Sequence, residues 1–68
     1  MEETTGKRIM AHRKRLGLTQ EQLAEKLGVT RQTIGLIEAG SYNPTLKLCV
    51  AICKALDKTL DELFWPEE

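Results

Sequence analysis

Apolar residues recur along the chain at helical rather than alternating spacing, in five short blocks separated by glycine, threonine and proline signals. The first block predicts a helix over about 7–16, with Ile9 and Leu16 two turns apart on one face and Gly17 as its stop. The second starts at Thr19, with Gln22 three residues on in capping-box spacing. It buries Leu23, Ala24 and Leu27, and Gly28 ends it. Val29 fills the turn, Thr30 caps a third helix that reaches about Ala39, and Gly40 terminates that one.

After the polar connection "SYNP", a fourth helix is expected from about Thr45 to Leu56. Leu46, Leu48, Cys49, Val50, Ile52, Cys53 and Leu56 cover more than half its circumference, which predicts the most buried helix of the domain. Thr59 and Glu62 form a second capping box, opening a short fifth helix whose apolar contacts come from Leu60, Leu63 and Phe64. Proline occurs only at 44 and 66, and no stretch shows the period-two alternation that strands need. The expected class is all-α, one domain over residues 1–68 with a core at about 7–64.

One position breaks the pattern. Gly35 stands in the middle of "TRQTIGLIE", where alanine would stabilise the helix by about 1 kcal/mol. On a helical wheel Ile34, Ile37 and Thr30 share one side with Glu38 beside them, while Gln32, Gly35, Leu36 and Ala39 share the opposite one. Arg31 and Thr33 lie on the flanks, so apart from Arg31 the outer face bears no full charge. An ordinary solvated helix face would mix lysine and glutamate.

At 68 residues the chain is too short for an enzyme cleft with supporting walls. With 41% hydrophobic and 29% charged residues it has enough for a small core. The N-terminal Met-Glu-Glu-Thr lacks the basic start and apolar run of a secretory signal, and no stretch approaches the ~18 apolar residues of a membrane span. A cytoplasmic location, without membrane association, is the expectation.

The net charge of zero hides an asymmetry: residues 1–34 hold seven Lys/Arg against four Asp/Glu, and residues 35–68 hold three against six. That points mildly to an anionic partner for one face. Cys49 and Cys53, four apart on one helix face, have poor disulfide geometry, and with only His12 elsewhere they make no four-ligand zinc site. They read as small buried hydrophobes, with a redox or metal role as the alternative. No cofactor and no small-molecule effector is expected, and no convergent acid-base group suggests an enzyme.

Two capped helices joined by a short glycine-containing turn have the spacing of a helix-turn-helix. The segment "GLTQEQLAEKLGVTRQTIGLIEAGSYNPTLKLCVAICKAL" resembles the helix-turn-helix domain of the lambda-repressor-like family, in particular the small Xre/Cro-type regulators. The likeness covers about residues 7–64, with TQ opening helix two, A-x-x-x-G before the turn, T-x-x-T-I-x-x-I-E-x-G in helix three and N-P-T-L after it all in register. It implies a five-helix fold and a DNA-binding transcriptional regulator, a homodimeric repressor on a pseudo-palindromic operator, whose third helix enters the major groove of double-stranded DNA.

On that reading Arg31, Gln32, Thr33 and Leu36 face bases, and Gly35 lets the helix backbone come close to them. The neutral alternative makes Gly35 an oddity and Leu36 a protein contact. Backbone contacts carry over to Gln20, Thr30, Ser41, Tyr42, Asn43 and Lys47, with the Gln20 side chain also able to brace Gln32. The family commonly pairs the helix-one arginine, here Arg13, with the glutamate ending helix three, here Glu38, as a structural ion pair. His12 departs from the aliphatic residue many relatives carry. Leu60, Leu63, Phe64 and Trp65, with Val50 in support, are candidates for a dimer interface, although Phe64 could instead plug its own core and Trp65 could simply be exposed. The rival is a protein-interaction module on the same fold, an antitoxin or adaptor, which the neutral charge and apolar Leu36 would suit.

Overall fold

The computed structural model describes residues 4–65. Five helices follow one another, α1 (Thr5–Arg15), α2 (Gln20–Leu27), α3 (Arg31–Ala39), α4 (Leu46–Leu56) and α5 (Leu60–Phe64), with no strand among the described residues. Every helix begins on a threonine, Thr4, Thr19, Thr30, Thr45 or Thr59, whose side chain accepts a backbone N–H one turn in. This is the cheapest satisfaction of a donor that a helix start leaves unpaired. The boxes at Thr19–Gln22 and Thr59–Glu62 are both closed reciprocally. Gly28 and Gly40 close α2 and α3 with φ of 72° and 80°, where a side chain would be strained.

The core is one cluster: Ile9, Leu23, Ala24, Ile34, Ile37, Ile52, Cys53, Leu56 and Leu63. It is covered at its edges by Leu18, Leu27, Val29, Leu48, Ala55 and Phe64. Burying side chains such as these stabilises by roughly 1.5–3 kcal/mol each relative to exposure. The two cysteines remain free thiols, one half-buried and one buried, and burial pushes both thiols above their ordinary pKa. That disfavours the thiolate, and with it redox reactivity.

Three sequence expectations change. α1 starts at Thr5, ahead of residue 7, because Thr4 supplies the cap and Gly6 can lie against α3. Leu16 does not share the buried face of Ile9; it is the C-cap residue of α1 and 52% exposed. The apolar face of α4 is less completely covered than its pattern suggests, since Leu46 is 71% exposed and only Ile52, Cys53 and Leu56 are buried on it. Five helices leave nothing to cover its outer side among the described residues. α4 ends on Asp57 in the left-handed region, φ 57°, a conformation that the short polar side chain of aspartate tolerates better than most.

Candidate nucleic-acid interface

α3 is held on its inner side by Ile34 and Ile37 in the core and by Glu38, which is only 7% exposed. Arg13 on α1, equally buried, meets it with two parallel contacts, Nε to Oε2 at 2.7 Å and Nη2 to Oε1 at 3.1 Å. The third nitrogen of the fork, Nη1, donates to the Leu18 carbonyl at 2.8 Å in the α1–α2 connection. Gln20 Nε2 donates to the same Glu38 Oε1 at 3.0 Å. The carboxylate therefore gathers α1, the start of α2 and the last turn of α3 at one buried point. A buried charge pair is tolerable only when its donors and acceptors are met in this way.

The Gln20 side chain is thus turned toward Glu38, which corrects the expectation that it braces Gln32. Its backbone N–H and that of Glu21 lie at the positive end of α2, outside the capping box, which engages Thr19 and Gln22. Glu21 is exposed in that same turn, and its carboxylate opposes any phosphate that approaches there.

The outer side of α3 carries Arg31, Gln32, Leu36 and Ala39, all exposed. Among the described residues neither Arg31 nor Gln32 has an intramolecular hydrogen-bond or ion-pair partner. Gly35 is half-buried on the flank beside Gln20, and a Cβ built on it would meet only Gln20 Nε2, at 4.0 Å. Nothing among the described residues requires glycine there. Thr33 is half-buried and its hydroxyl lies 2.9 Å from that of Thr30, so the two are partly occupied with each other. Thr30 is the exposed N-cap residue and does not face the core as the helical wheel suggests.

Past Gly40, Ser41, Tyr42 and Asn43 are exposed, and Lys47 is exposed in the first turn of α4. Tyr42 and Asn43 also line a cleft of about 430 Å³ with Thr4, Thr5 and Gly6.

The proposed dimer residues separate. Leu63 is fully buried at 0% exposure and can offer nothing to a partner, which removes it from the interface set. Phe64 is half-buried against the core. Leu60 and Trp65 are exposed, 39% and 68%, and Trp65 is tied by its carbonyl to Arg8 Nη1 at 2.7 Å. Val50 is half-buried on α4, on a shallow apolar surface shared with Leu46 and Ala51.

Two residues of the site escaped sequence reasoning. The Leu18 carbonyl carries no side-chain signal. Gly6 stands in a predicted tail, yet it is buried against the backbone of α3.

This geometry has known counterparts. A helix-turn-helix family model matches residues 9–63. The chain belongs to that family. It is 50% identical over 56 residues to the HTH-type transcriptional regulator YgzD of Bacillus subtilis, covering 82% of this chain and 85% of that one. Among solved structures it is similar to the restriction-modification controller protein C.AhdI from Aeromonas hydrophila, with a TM-score of 0.82 and 37% identity over 88% of this chain and 87% of that one. It is also similar to the P22 c2 repressor protein in complex with a synthetic operator, with a TM-score of 0.86 and 31% identity over 93% and 97%.

The fold is that of the lambda-repressor-like domains, as the motif spacing predicts, and the chain is a helix-turn-helix domain of the DNA-binding transcriptional-regulator kind, not an enzyme. Among the described residues no helix is long and apolar enough to cross a membrane, and no group of His, Cys, Asp and Glu could hold a metal.

Proposed function

We propose that this chain is a homodimeric repressor that reads a pseudo-palindromic operator by laying the outer side of α3 in the major groove. The observation that carries the reading is that face itself, where Arg31, Gln32 and Leu36 are exposed and neither Arg31 nor Gln32 has a partner among the described residues, with the half-buried Gly35 on its flank presenting no side chain. Gln32 can pair with the N6 and N7 edge of adenine, Arg31 with O6 and N7 of guanine, and Leu36 can lie on a thymine methyl. Thr33 adds a hydroxyl for a base or the backbone. The N-terminus of α2 at Gln20, with Thr30, Ser41, Tyr42, Asn43 and Lys47, supplies donors and charge for phosphates on either side, which set register without reading sequence.

A dimer follows from the small footprint of one motif, since half-sites lie one helical turn, ~34 Å, apart. A body of 33 × 24 × 22 Å on each half-site brings the edges of two copies within reach. Leu60 and Trp65 are the surface residues that suit such an edge. Repression by excluding polymerase requires nothing beyond occupancy of the operator, and a cytoplasmic location follows from that role.

A protein-interaction module is the second reading, favoured by the exposure of Leu46, Leu36 and Trp65 on a chain of zero net charge. Selection of bound fragments from genomic DNA by the purified protein at two salt concentrations separates the two. The repressor reading expects a two-fold symmetric site whose recovery falls steeply with salt and is lost in Gln32→Ala. Recovery of nothing above background would overturn it in favour of the protein partner.

A further inference from the structure

The side of α1 that faces α3 is a stripe of Gly6, Ile9 and Arg13, the three buried residues of that helix, spaced so that all lie on one face. Ile9 enters the core, and Arg13 grips the Glu38 carboxylate. Gly6, two turns before Arg13, addresses the main chain of the same residue. A Cβ placed on it would collide with the Glu38 carbonyl, with the carbonyl carbon at 2.7 Å and the Ile37 oxygen also at 2.7 Å. These are backbone atoms and cannot swing away as the end of a long side chain can.

We propose that Gly6 is a positioning residue for DNA recognition, setting the depth and tilt of the last turn of α3, and this rests on the DNA reading above. Glu38 is seized twice by one helix, by its carboxylate at Arg13 and by its main chain at Gly6, two points about 10 Å apart along α1. Two points fix an orientation where one would leave a pivot. The turn so held carries Leu36 and Ala39 outward and runs through Gly40, whose N–H bonds the Ile37 carbonyl at 3.1 Å, into Ser41, Tyr42 and Asn43. A methyl group at position 6 must push α1 and this turn apart, shifting the second half of the recognition surface relative to Arg31 and Gln32. Recognition needs its groups held to within about 0.5 Å, so a displacement of a methyl group's size is felt as lost binding.

The test compares Gly6→Ala with Ile52→Val, a core lesion on α4 at a residue that is not among the atoms meeting Gly6. Both are assayed where circular dichroism shows them fully folded, with trimethylamine N-oxide added if needed. The probe is a duplex oligonucleotide carrying the selected site. Gly6→Ala is expected to lose at least about ten-fold in affinity while Ile52→Val stays within about two-fold, tenfold being 1.4 kcal/mol. Amide shifts should move at Leu36–Asn43 in the former alone.

A folded Gly6→Ala that binds like the parent, or an Ile52→Val that loses as much, would overturn the proposal. So would a Gly6→Ala chain that stays unfolded even in the osmolyte, since Gly6 would then serve folding alone. Absence of binding by the parent chain would remove the DNA reading. The amide shifts would still decide whether Gly6 positions α3: movement at Leu36–Asn43 supports it, and changes confined to α1 refute it.

Discussion

The two helical glycines near α3 have opposite surroundings. Gly6 is pressed against main-chain carbonyls of Ile37 and Glu38, whereas Gly35 has one side-chain nitrogen at 4.0 Å and open space otherwise. Gly6 packs on the inner side of α3, where Ile34, Ile37 and Glu38 are buried, and Gly35 lies on the flank that leads to the exposed Arg31, Gln32 and Leu36. A glycine needed by the fold and one unexplained by the fold mark the two faces of the same helix. The difference teaches that the second must be explained by something outside the chain, or not at all.

The largest effect expected on the inner side is that of Glu38→Ala. It strands the Arg13 guanidinium, 7% exposed, without its carboxylate, and should cost about 3–5 kcal/mol in urea unfolding. A loss under 1 kcal/mol would mean that water reaches the pair and that the inner side is looser than its geometry. Gly6→Ala comes next, at about 1–3 kcal/mol from overpacking. Full stability in that variant would show that α1 yields easily, erasing the contrast between the glycines.

On the outer side Leu36→Ala should leave stability within about 0.5 kcal/mol, because the side chain is 41% exposed. Its effect should appear in DNA affinity alone. A clear drop in melting temperature would instead mark Leu36 as part of the chain's own packing.

The smallest effect is far from both faces. The Glu62 carboxyl is held below its ordinary pKa by its hydrogen bond from the Thr59 backbone, so its contribution to α5 is complete above about pH 4.5. It is lost as the pH falls through the lowered folded value. The melting temperature of Glu62→Gln should therefore converge with that of the parent toward acid pH, and parallel curves from pH 7 to pH 3 would contradict this. An effect rivalling that of Glu38→Ala would break the ranking of the α1–α3 grip above the caps.

Much of the architecture was legible because its causes are local. Thr19, Thr30 and Thr59 cap helices as their spacing predicts, and Gly28 and Gly40 stop two of them, since each choice is settled within about one helical turn. The outward set Gln32, Leu36 and Ala39 was likewise readable from helix geometry. The Arg13–Glu38 pair was expected through resemblance, and the structure adds its third and fourth members, Leu18 and Gln20.

What was not legible depends on which element packs against which. Leu16, Leu46 and Leu63 are equally apolar letters, yet two lie in solvent and one is wholly buried, because only the last faces another helix. Gly6 could not be read at all, since the need for glycine arises from the main chain of residues more than thirty positions away.

The most direct test of the central claim, that the outer side of α3 is reserved for close approach to DNA, is Gly35→Ala measured twice on one preparation. Alanine fits the site in the free protein, so stability should rise by about 1 kcal/mol, or roughly 4–8 °C in melting temperature. Affinity for the selected operator should fall. A rise in stability with undiminished DNA affinity would contradict the claim and leave Gly35 a helix defect with no functional reason.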